Sequence, residues 1–117
     1  MAVPKATPPA PRGATTAALS PARRRLVALL QRVNFGRLEG LVVRGGEPVL
    51  DPPPAVVREH KFGGENGPRP EAARADTALK AQHLDLLAEL DRLGDGVIPV
   101  LTVKHGLPFS ADLPGLG

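Results

Sequence analysis

The chain has 117 residues, 14 of them proline and 13 glycine, so it holds one small domain with a thin core, of which roughly 80–95 residues are expected to be ordered. It has no cysteine, which excludes disulfides, thiolate catalysis and zinc sites of the CxxC type; it also has no apolar run of the length a signal peptide or a bilayer span needs, so a soluble cytoplasmic protein is expected. The formal net charge of +3 is unevenly placed: through Arg25 there are five basic residues and no acidic one, and the remainder holds ten basic against twelve acidic.

Residues 1–19 are rich in Pro, Ala and Thr and nearly devoid of bulky side chains. They cannot bury enough area to offset the entropy of ordering, and a disordered basic tail is expected. A helix-hairpin unit is expected over 20–62. Ser20 suits an N-cap, and Pro21 suits the first helical position, where its missing N–H is not needed. Leu26, Leu29, Leu30 and Val33 recur at helical spacing. The Asn34-Phe35-Gly36 corner ends the helix, with Gly36 expected at positive φ and Phe35 against the core. A strand follows over 37–44, in which Gly40 breaks the alternation and suggests a bulge or a close backbone approach. Gly45-Gly46 reads as a two-residue primed turn whose flanks, Arg44 and Glu47, are placed to pair. Pro48 places the return strand at an edge. The prolines at 52–54 interrupt it, and 55–62 is its continuation or a third strand.

A flexible linker is expected over 63–70. A second unit spans 71–112, with a long helix over 71–93, in which Asp76 and Lys80 stand at i,i+4. A strand over 97–103, a turn at His105-Gly106 and a short return over 107–110 complete it, and 113–117 is expected to fray. Residues 26–49 lie on 86–109 without a gap: Leu26, Ala28, Leu30, Arg32, Gly36, Leu41, Val43, Gly46 and Pro48 fall on Leu86, Ala88, Leu90, Arg92, Gly96, Leu101, Val103, Gly106 and Pro108. Gly36, Gly45, Gly46, Gly96 and Gly106 are the structural turn positions. The fold class expected is α+β: two helix–β-hairpin units form one small antiparallel sheet with the helices on one face. The alternative is an accidental match between hairpins that do not pair.

Residues that carry chemistry are sparse. His60, His83 and His105 share no metal-binding spacing. His83 lies near the apolar stripe of its helix, where a satisfied, partly buried histidine is expected, and His105 lies at an exposed turn tip. No nucleophile-elbow, P-loop or dinucleotide-binding motif is present; the glycine-rich 63–67 stretch reads as a loop. No catalytic, cofactor-binding or metal-binding residue is assigned, and no cofactor is expected. Arg23, Arg24 and Arg25 sit at the positive end of the first helix dipole. They are either solvated charge or contacts for an anion, an acidic partner or phosphate. Base stacking has few platforms, because the chain holds three Phe and neither Tyr nor Trp.

The L-x-A-L helix of Leu26, Ala28 and Leu29 is followed by the Phe35-Gly36 corner, the strand from Leu38 to Val43, the Gly45-Gly46 turn and Val49. With these features residues 26–62 resemble the YezD-like family of small bacterial proteins. The resemblance implies a helix-plus-hairpin module and brings no activity with it. This chain departs from the family pattern by one extra residue between corner and turn and by the proline run. The second unit matches more loosely, with Asp95 at the corner. The expected function is a non-enzymatic binding or regulatory accessory module. It would contact a protein partner, or a second copy of itself, through exposed sheet edges, without a membrane. Weak, salt-sensitive nucleic-acid association through Arg23–Arg25 is the first alternative, and an enzyme acting on a small ligand is the second.

Overall fold

The computed structural model of the chain describes residues 16–64 and 79–114. A 3-10 turn, Thr16–Ala18, leads in, and Leu19 packs against the core, so the described end of the leading segment is ordered rather than tail-like. Residues 1–15 of the expected tail lie outside the described residues.

Helix α1 is Pro21–Val33. Ser20 caps it: its Oγ accepts from the Arg23 N–H at 3.2 Å and donates to Glu47 Oε1 at 2.6 Å. Leu26, Val27, Leu30 and Val33 form the buried stripe. Gly36 has the positive φ expected (155°), but the turn begins earlier, at Asn34, which takes a left-handed φ of 64° while its N–H still bonds the Leu30 carbonyl at 2.9 Å. Gly36 is required for a different reason: a Cβ there would lie 2.1 Å from the Val57 carbonyl oxygen. Phe35 is only partly buried and stands outside the core cluster.

Strand β1, Gly36–Arg44, turns through Gly45 and Gly46 (φ 57° and 78°), the primed geometry expected, into β2, Glu47–Val49. Arg44 and Glu47 are backbone partners, but the Glu47 carboxylate turns to Ser20 and Arg23. After the proline run the chain returns as β3, Ala55–Arg58, pairing with the first half of β1. It therefore continues the interrupted return strand along the same edge.

Helix α2 is Ala81–Leu93. Leu79 and Lys80 precede it, so the helix starts later than expected; residues 71–78, with Asp76 of the expected pair, lie outside the described residues. The start is set by His83, whose Nδ1 accepts the Lys80 N–H at 3.0 Å, half of a capping box. Strand β4, Gly96–Lys104, turns through His105 and Gly106 (φ 56° and 73°) into β5, Leu107–Asp112. β5 runs beyond the expected return, and Ala111 packs against the core.

The sheet is antiparallel, in order β2-β1-β4-β5, with β3 beside β1. Both helices pack into one cluster with Leu38, Leu41 and Val43 of β1 and Ile98, Leu101 and Val103 of β4. Adding 60 to each residue number carries α1 onto α2 and β1 onto β4. The register obeys the same rule: Gly36 faces Val103 as Gly96 faces Val43, and Leu38 faces Leu101 as Ile98 faces Leu41. Each hairpin tip docks on the helix end of the other unit, with Gly46 N–H to Gly94 O at 2.8 Å and Gly106 N–H to Asn34 O at 2.9 Å. The two units are thus related by a pseudo-twofold axis through the β1–β4 ladder.

Gly40 (φ 74°) and Pro99 lie at this axis, where the ladder skips a pair without losing register. Gly40 is therefore neither a bulge nor a close approach: no atom lies within 4 Å of a Cβ placed there. The register shift lies instead between Thr102 and Val103. These partner Ser110 and Pro108, which leaves Phe109 as the extra residue of β5.

Candidate functional site: the aromatic and basic end of the sheet

The three arginines at the start of the first helix separate. Arg24 and Arg25 are exposed. Arg23 is turned inward, its side chain 15% exposed; Nη2 donates to the Gly46 carbonyl at 2.8 Å and to Asp91 Oδ1 at 2.5 Å. Its Nε is buried without a hydrogen bond, and the Glu47 carboxylate, 3.9 Å away, offers only an electrostatic contact. At this end of the sheet the polar groups close on one another: Asp95 Oδ1 also accepts the Gly45 N–H at 2.9 Å.

The pseudo-twofold equivalent of this end has the same backbone and different chemistry. Position 45 becomes His105 and position 95 becomes Phe35, and the two rings meet edge-on with centroids 4.8 Å apart. The end of β3 arrives alongside, with the Glu59 N–H bonded to Phe35 O at 2.8 Å. That contact delivers residues 60–62. Lys61 Nζ lies 3.6 Å from the Phe35 ring centroid, and His60 meets Phe62 edge-on at 4.9 Å. Lys104, at the foot of the turn, holds Nζ 4.3 Å from the Phe109 centroid. All three Phe of the chain lie toward this end of the sheet, with Phe62 beyond β3 at one edge and Phe109 on β5 at the other, and a lysine over the Phe35 and Phe109 rings. Phe62 is 93% exposed and Phe109 62%.

A shallow concavity opens on the helix-free face near this end, lined by Arg37, Val57, Glu59, Thr102 and Lys104. Arg37 is engaged by Glu39 at 2.7 Å, which leaves Glu59 and Lys104 as its other charges. Sequence reading missed this convergence because the Phe residues are far apart along the chain. The signal that locates it is the repeat itself: antiparallel pairing of two units brings each hairpin tip onto the other unit's corner, so 105 must meet 35.

Two further features lie elsewhere. His83 is 1% exposed, more deeply buried than expected; with Nδ1 accepting, its proton sits on Nε2, which has no partner. Burial and then the nearby Lys80 charge push its pKa below 6.5, so it is neutral at physiological pH. A groove of about 180 Å³ runs between α2 and β5, lined by Leu86, Leu101, Pro108 and Phe109 together with the acidic Asp85 and Glu89, so Phe109 borders this groove as well as Lys104. Among the described residues, no cluster of three or more His, Asp or Glu is placed to hold a metal ion, and no helix is long and apolar enough to cross a membrane. Comparison with family models, curated proteins and solved structures gave no match.

Proposed function

We propose that the chain is a non-enzymatic binding module whose contact surface is the aromatic and basic end of the sheet and whose partner presents a run of negative charge. The observation that carries this reading is the exposure of Phe62 and Phe109 beside Lys61 and Lys104. Scattered exposed apolar residues are ordinary, but gathering every Phe of a chain at one end is not.

Heparin, a generic polyanion, provides the test. In a titration followed by amide NMR, residues 35, 58–62, 104–107 and 109 are expected to shift first, with the effect reduced as salt screens the exposed charges. Shifts confined to Arg24 and Arg25, or no shift at all, would sink this reading.

A second reading is favoured by the groove beside β5. That strand closes the sheet with no further strand on its outer side among the described residues, an open template for strand addition by a second copy. Light scattering across a concentration series checks it: a molar mass that stays at one chain throughout eliminates self-pairing.

A further inference from the structure

Building on the anionic-partner reading, we infer that the partner is single-stranded nucleic acid, held by stacking of unpaired bases on Phe62 and Phe109 and by phosphate contacts to Lys61 and Lys104. Planarity and charge together select the class. Phe62 touches His60 edge-on and Phe109 carries a lysine over its ring, contacts that leave most of each side chain in solvent. Such rings are platforms for other flat groups, and every unpaired base offers one whatever its sequence. A duplex keeps its base faces inside its own stack and has none to give. An acidic peptide supplies the charge without a regular supply of planar faces.

Each exposed ring has a cation near it. Lys61 follows His60 and precedes Phe62 while reaching back over Phe35, and Lys104 lies over Phe109. Glu59 and Lys104 line the same concavity, and Glu59 repels phosphate there. Arg37 is held by Glu39 and adds little charge. With about two phosphates neutralised, binding is modest and its logarithm falls with the logarithm of salt at a slope of about −1.5. No group here reads the 2′-hydroxyl, so DNA and RNA strands bind alike.

The test uses the full chain and fluorescent oligonucleotides of about 12 nucleotides, a length within the range one small domain occupies. Oligo-dT, oligo-rU and a DNA duplex of equal length are titrated at about 50 and 200 mM salt. The expected result is saturable binding of both single strands, weakened about fivefold or more by Phe62→Ala and by Phe109→Ala, and also by Lys61→Ala with Lys104→Ala. Arg24→Ala with Arg25→Ala leaves it unchanged. Both rings are largely exposed, so the variants keep the wild-type circular dichroism melt, which is recorded beside each titration. If the Phe variants bind single strands as the wild type does while the lysine variant loses binding, or if the duplex is preferred, the stacking inference is overturned although the polyanion surface stands. If no oligonucleotide binds while heparin still shifts the same amides, the partner is another polyanion. Failure of both ligands removes the inference together with the reading beneath it.

Discussion

Gly36 and Gly40 sit four positions apart in the same strand, and both have positive φ, yet they answer to different constraints. An alanine at 36 drives its Cβ into the Val57 carbonyl at 2.1 Å, so β3 must move or detach. Gly36→Ala is expected to destabilise the fold by about 3 kcal/mol, at the upper end of overpacking penalties. Gly40→Ala meets no atom and carries only the left-handed backbone penalty, about 1 kcal/mol. Urea denaturation of the two variants checks the order. His83 adds a pH dependence. Its folded pKa lies below 6.5, so the unfolded chain binds the extra proton first as pH falls. Stability is therefore at its full value above about pH 6.5 and declines below it until the folded pKa is reached. His83→Gln retains an acceptor for the Lys80 N–H in the manner of a capping box and does not titrate, so it should flatten the decline in the urea midpoint between pH 7 and 5.

Between elements, the joint of α1, the first hairpin and α2 runs through Arg23. Its bond to the part-buried Gly46 carbonyl has more weight than the bond to Asp91, whose side chain is 69% exposed and screened by water. Arg23→Ala is expected to cost about 1–2 kcal/mol and Asp91→Ala less than about 1, measured by thermal melts at two salt concentrations. Most of the element plan was legible in the sequence. The 60-residue offset, the stripe of Leu26, Leu30 and Val33, the primed turn at Gly45-Gly46 and the edge position of Pro48 each follow from local chemistry. What escaped depends on pairing. The start of α2 is set by a buried histidine serving as a cap, which is not a sequence signal. The outward Phe109 follows from a register shift that only the facing strand defines. The Phe35 contact with His105 joins units that are distant in sequence.

At the scale of the whole molecule, neither unit is complete. Each hairpin tip bonds to the helix end of the other, and one core cluster draws on both helices and both central strands. A half-chain therefore exposes one side of β1 or β4 and the apolar stripe of its own helix. Fragments covering residues 1–64 and 65–117 are expected to be largely unfolded alone and to regain helical circular dichroism when mixed. Full helicity of either fragment by itself would contradict this account. The shared ladder also explains the chemical division of labour: one backbone, used twice, presents an end closed by its own ion pairs and an end with rings turned to solvent.

His105 holds a left-handed φ of 56° at the turn position where the other unit has Gly45. A side chain there is strained by about 1 kcal/mol, which glycine would relieve. A search for heat-tolerant variants would therefore tend to select His105→Gly. The same change strips the ring that faces Phe35, so on the proposed reading of this end as the contact surface, thermal selection and ligand selection would pull this one codon in opposite directions.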